Sequence, residues 1–158
     1  MGDSSRGNIV HHVIVKSNDW NPLKVRGAVM VQPSFGGEQR TQSEIESPEE
    51  LERSVSHRMM ALPEGADKDH PFSNPLAACS DYPTLAEATL PPVLIFIGGR
   101  DMLRDRAKAY YETLIKHGKA GQMIVFEEEK HGFYVLKEDA GSTEALIQHI
   151  ARFVQPNN

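Results

Sequence analysis

The chain has 158 residues, 39% of them hydrophobic and 25% charged, enough for one domain around a single core. A formal net charge of −5 excludes the basic excess of a nucleic-acid backbone binder, and no apolar run approaches the ~20 residues of a membrane span. The single cysteine, Cys79, excludes an internal disulfide and a multi-cysteine zinc site, and it fits a reducing, cytoplasmic setting.

The first eight residues carry neither a charged leader nor an apolar stretch, so no secretory signal is expected. The chain reads as opening inside a structural unit. Residues 7–16 predict a helix, with Ile9, Val10, Val13 and Ile14 spaced i, i+1, i+4, i+5. A polar turn region over 17–24 follows. The valine-rich run 25–32, stopped by Pro33, predicts a buried strand.

Residues 41–91 read as an irregular and helical connection. Ser47-Pro48-Glu49-Glu50 is a helix start, with proline in the first turn and acids near the positive end of the helix dipole. Leu51, Val55 and Met59 then form an i, i+4, i+8 stripe. Pro63, Pro71, Pro75 and Pro83 break up the remainder, and a weakly regular segment this long is usually functional or lies over a site.

The last third alternates cleanly. Residues 92–98 predict a buried strand, 103–117 a helix ended by Gly118, and 123–127 a second strand. A terminal helix is expected over 142–154, with Ser142 as N-cap and Ala145, Ile150, Phe153 and Val154 on its apolar side. This order implies an α/β class with a short parallel sheet flanked by helices.

Three places could carry chemistry. Gly2-Asp3-Ser4-Ser5-Arg6 has the first glycine and the serine of G-x-S-x-G, the strand-to-helix turn that presents the nucleophile of α/β hydrolases. On this segment alone Ser4 reads first as a helix N-cap, and Arg6 stands where the second glycine belongs. Asp101 follows a predicted strand through Gly98 and Gly99. It could orient a histidine or cap the next helix, and Asp105 looks like a first-turn acid. His131, after the last predicted strand, is a candidate general base. The joint order Ser4, Asp101, His131 is that of an α/β-hydrolase triad. His11 and His12 are adjacent on a helix, so they face different ways and make no i, i+4 metal pair. Cys79 has no basic neighbourhood that would activate it.

The chain resembles the plant carboxylesterase family, α/β hydrolases of the hormone-sensitive-lipase type related to the gibberellin receptor. The resemblance rests on Gly-Asp-Ser-Ser-x-Gly-Asn-Ile-Val-His-His at 2–12 and Phe-Gly-Gly-Glu-Gln-Arg-Thr at 35–41. It continues through Ala-Leu-Pro-Glu-Gly-Ala-Asp-Lys-Asp-His-Pro-Phe-Ser-Asn-Pro at 61–75, Asp-Met-Leu-Arg-Asp-Arg at 101–106 and His-Gly-Phe-Tyr at 131–134. It implies the C-terminal half of that fold as one partial domain over 1–158. It also implies Ser4 as nucleophile, Asp101 as triad acid, His131 as base and the backbone N–H of Ser5 as an oxyanion donor. The implied substrate is a small carboxylic ester, with no metal or organic cofactor. The receptor branch typically lacks the histidine and binds a ligand instead, so His131 points to the esterase branch.

Three departures set further expectations. No His-Gly-Gly-Gly oxyanion segment is present, and losing even one such donor costs ~2.7–4 kcal/mol. The strand before Ser4 is expected to be absent, which would leave three strands and make 25–32 an unprotected edge open to self-association. Arg6 is expected to crowd the strand–helix contact at the turn if the strand before Ser4 is there, and not to if it is missing.

Overall fold

The computed structural model describes residues 1–20, 22, 24–136 and 140–155. Four parallel strands lie side by side in chain order: β1 (Gly2–Asp3), β2 (Ala28–Val31), β3 (Val93–Gly98) and β4 (Gly121–Phe126). The register runs straight across, with Gly2 opposite Met30, Met30 opposite Ile95 and Ile95 opposite Met123. Parallel neighbours need long crossovers, and helices supply them. Helix α1 (Ser5–Lys16) follows β1. Helices α2 (Gln42–Ile45) and α3 (Pro48–Met59) lie between β2 and β3, and α4 (Arg104–Lys116) lies between β3 and β4. After β4 come α5 (Phe133–Leu136) and α6 (Ala140–Val154).

Side-chain alternation along the strands builds a core on each face of the sheet. Ala28, Met30, Val93, Ile95 and Ile97 pack against Val10 and Ile14 of α1 and Ala107, Tyr110 and Leu114 of α4. Val29, Val31, Leu94 and Phe96 point the other way, onto Phe133 of α5 and Leu146 of α6, with Ile150 and Phe153 at the margin. All six residues of β3 are buried, which is why its sequence is apolar without alternation. Each such side chain contributes about 1.5–3 kcal/mol by leaving water.

Five expectations are corrected here. The sheet has four strands, because Gly2–Asp3 forms a short strand on Met30 and Val31. The edge on that side is therefore β1, and 28–31 is an interior strand whose residues are all buried. Ser142 lies inside α6, which begins at Ala140, so it is not the N-cap; 137–139 fall outside the described residues. On α6 the buried anchor is Leu146 at 4% exposure, while Val154 faces solvent. On α3, Leu51 packs on Met102 and Leu103 with Val55 beside it, but Met59 is exposed. Gly118 ends α4 as expected, at φ 68°.

The connection between β2 and β3 is tied down by polar contacts. Arg106 on α4 donates from Nε and Nη2 to the two carboxylate oxygens of Glu44, at 2.5 and 2.8 Å. Its guanidinium also reaches the carbonyls of Gly36, Gly37 and Gln39. Glu44 is 1% exposed and completes a capping box with Thr41 at the start of α2. Asp105 accepts the Ser43 N–H at 2.7 Å, so this first-turn acid also joins α2 to α4. Among the described residues, no helix is long and apolar enough to cross a membrane.

Candidate active site

Ser4, Asp101 and His131 all lie just past carboxyl ends of parallel strands, the rim where open α/β sheets place their sites. Ser4 links β1 directly to α1. It occupies the N-cap position, but its side chain makes no capping hydrogen bond. Instead its Oγ lies 3.1 Å from His131 Nε2. That contact decides between the cap and the nucleophile-turn geometries left open by the sequence.

The turn itself is strained. Ser4 has φ 49° and ψ −123°, a conformation that L residues rarely adopt. Surrounding hydrogen bonds hold it there. The Ser4 N–H donates to the Val31 carbonyl, and the Ser4 carbonyl accepts from the N–H groups of Gly7 and Ser34. Glycine is needed at 2, where a β-carbon would collide with the Arg6 carbonyl, and at 7, where it would lie 2.9 Å from Pro33. The expected crowding by Arg6 does not occur. Its side chain runs outward, 72% exposed, and pairs with Asp3 at 2.5 Å. The close strand–helix contact at position 6 is made by its backbone carbonyl against Gly2, and Gly7 gives room to Pro33.

Asp101 is 1% exposed and does two things. Its Oδ1 accepts the Leu103 N–H at 2.9 Å, and its Oδ2 accepts from His131 Nδ1 at 2.8 Å. The carboxylate that partners the histidine thus also closes an Asx turn onto Leu103, the residue before α4, rather than capping the helix. An ionised carboxylate only accepts, so the proton sits on Nδ1 and leaves Nε2 free to accept from the Ser4 hydroxyl. Burial opposes the imidazolium of His131, but the Asp101 hydrogen bond and charge outweigh it. The net pKa lies above the ordinary 6.5. Ser5 opens α1, and its backbone N–H belongs to the first turn, whose donors have no intrahelical acceptor.

Two neighbours of the triad were not singled out from sequence. The Tyr134 hydroxyl donates to Asp3 Oδ2 at 3.1 Å, while Arg6 donates to Oδ1. Burial would raise the Asp3 pKa, yet the hydrogen bonds from Arg6 and Tyr134 overcome it and hold the carboxyl below its usual value. The only sequence signal was the i, i+3 spacing of Asp3 and Arg6. His11 is buried against Tyr110, sharing a 2.9 Å hydrogen bond through Nδ1, and burial lowers its pKa to about 3. His12 turns toward Tyr82, 2.5 Å away. Among the described residues, no cluster of three or more potential ligands could hold a metal ion.

A cleft of about 1220 Å³ opens over Ser4 and His131. Ile9, Leu62, Phe72, Met102 and Phe133 give it apolar walls, and Asn8, His12 and Ser34 add polar groups. The segment between β2 and β3 thus contributes one wall, through α3 and residues 61–72.

Residues 1–135 match the alpha/beta hydrolase fold family. The chain belongs to that family. Its relatives include the gibberellin receptor GID1A of Arabidopsis thaliana, 34% identical across 97% of this chain and 44% of that protein. Another is probable carboxylesterase 2 of the same plant, 29% identical across 98% of this chain and 49% of that protein. The chain spans about half the length of the curated relatives it matches. Among solved structures, a thermostable esterase from Pseudomonas putida superposes with a TM-score of 0.76 at 19% identity, over 94% of this chain and 47% of that one. At that identity the likeness speaks for the hydrolase fold alone.

Proposed function

We propose that this alpha/beta hydrolase chain is a carboxylesterase-type serine hydrolase acting on small carboxylic esters. The observation that carries the reading is the unbroken relay Ser4 Oγ–His131 Nε2 and His131 Nδ1–Asp101 Oδ2, at 3.1 and 2.8 Å, beneath an open apolar cleft. His131 takes the Ser4 hydroxyl proton as the oxygen attacks the ester carbonyl. The carbonyl oxygen gains the negative charge, and this reading assigns the Ser5 N–H, in the first turn of α1, as a donor to it. Collapse of the tetrahedral adduct breaks the ester C–O bond, and His131 returns the proton to the leaving alcohol. Water, deprotonated by His131, then cleaves the acyl-Ser4 ester. Asp101 holds the imidazole in the required tautomer and stabilises its charged form.

A second reading, ligand binding without turnover, is favoured by the 32–34% identity to gibberellin receptors. The two readings part at Ser4. Hydrolysis of p-nitrophenyl acetate and butyrate by the folded chain, compared with Ser4→Ala, is the test. Turnover removed by the substitution supports the esterase. Equal background rates in both proteins favour the binding reading.

A further inference from the structure

Gln32, the residue after β2, is 1% exposed and has φ 46°, in the left-handed region that a β-carbon disfavours. A buried amide on strained backbone persists only where its surroundings hold it. Its own N–H donates to the Phe96 carbonyl of β3 at 2.8 Å. Its side-chain Nε2 donates to the Lys130 carbonyl at 2.9 Å, and its Oε1 accepts the Gly132 N–H at 2.7 Å. Those two peptide groups flank His131 on either side.

The match is complete in both directions. Reversing the amide would set donor against donor and acceptor against acceptor, so the backbone at 130 and 132 fixes its orientation. Gly132, at φ 75°, turns the chain where its N–H meets Gln32. Gly98 leaves the space, since a β-carbon there would lie 2.5 Å from Gln32 Nε2 and 2.6 Å from the Glu129 carbonyl. No residue with only a donor or only an acceptor could serve both groups.

We infer that Gln32 is a positioning residue for the base: by pinning the peptide groups on both sides of His131, it sets the imidazole between Asp101 and Ser4. This rests on the esterase reading of the same site. The groups that bear on the ring are Asp101 and Ser4 in contact, with the charges of Glu50 and Asp3 nearby.

The test uses the full chain with Gln32→Met, which keeps length without polarity, and Gln32→Glu, which keeps shape without the donor. Three readouts apply: hydrogen exchange of the wild-type Gly132 amide, the His131 ring titration by NMR (assigned with His131→Gln), and the rate of Ser4 labelling by a fluorophosphonate. The wild-type Gly132 amide is expected to be protected although it lies in a turn. In folded Gln32→Met, the His131 titration moves down toward the ordinary histidine value as the Asp101 bond loosens. Labelling slows roughly ten- to hundredfold, as expected when a catalytic group is misplaced by about 1 Å. Gln32→Glu is equally slow wherever its carboxyl is ionised. Wild-type titration and labelling in folded Gln32→Met overturn the inference. If neither variant folds, free exchange of the wild-type Gly132 amide overturns it and protection upholds it. Should the wild type not label at all, the esterase reading falls, while the titration and exchange still decide the role of Gln32.

Discussion

The rim that carries Ser4, Asp101 and His131 and the 36–91 segment that walls the cleft are held by different kinds of interaction. The rim hangs from a sheet whose central strands, β2 and β3, are buried on both faces, and its turns need only short excursions from β1, β3 and β4. The wall has few apolar anchors, chiefly Leu51 and Leu85, and depends on the Arg106–Glu44 pair and the capping of α2. Hydrophobic burial is non-directional and tolerates repacking, whereas a buried ion pair fails outright when one partner is lost. The difference separates what sets the chemistry from what shapes the cleft.

The largest expected effect falls on the rim. Asp101→Asn preserves shape but favours the wrong tautomer of His131, and it should slow Ser4 labelling by up to about 10⁴-fold. Labelling within tenfold of wild type would mean that the relay does not organise the base.

The wall should break next. Arg106→Met leaves Glu44 buried without its partner, at a cost of about 3–5 kcal/mol read from the denaturant midpoint. A loss below about 1 kcal/mol would show that apolar contacts anchor the segment after all. Because the rim does not depend on this pair, any variant that stays folded should retain the raised His131 titration.

pH acts on two histidines, His131 of the rim and His11 of α1, in opposite senses. In the proposed mechanism His131 takes the Ser4 proton only when neutral, and its pKa lies above 6.5, so labelling should rise with pH through a midpoint above 6.5. The stability contributed by its pairing with Asp101 is full below 6.5 and is lost as pH rises past the folded pKa. His11 behaves in reverse. Its folded pKa is about 3, so the unfolded chain binds the extra proton below 6.5. Stability from keeping His11 neutral is full above 6.5 and falls by roughly 1.4 kcal/mol per pH unit between 6.5 and about 3. His11→Asn should flatten this acid limb, and an unchanged limb would place the effect elsewhere.

Arg6→Gly should matter least. The Arg6–Asp3 pair is largely exposed, and such pairs are worth about 0–1 kcal/mol. A stabilisation of several kcal/mol on removing Arg6 would revive the crowding that the sequence suggested.

The same contrast governs what could be read in advance. Residues 92–98 and 103–117 announced themselves because burial imposes apolar runs and helical spacing on the sequence. Ser4, Asp101 and His131 were legible by their order and their places after strands, but distance was not. Ser4 could not be told from a cap until its Oγ was seen on His131. β1 was missed because a two-residue strand has no periodicity, and its pairing with Met30 and Val31 is written in contacts 28 residues away. α2 was missed for a related reason: Glu44 looks like any surface acid until Arg106 is placed over it. Gln32 carried no local signal, since its partners lie 98 and 100 residues further on.

The most direct measurement is fluorophosphonate labelling of the folded chain, with the modified peptide located by mass, beside Ser4→Ala and His131→Ala. The account predicts modification at Ser4 that vanishes in Ser4→Ala and falls steeply in His131→Ala. An unlabelled but folded wild type, or labelling at Ser4 that is indifferent to His131, would contradict it.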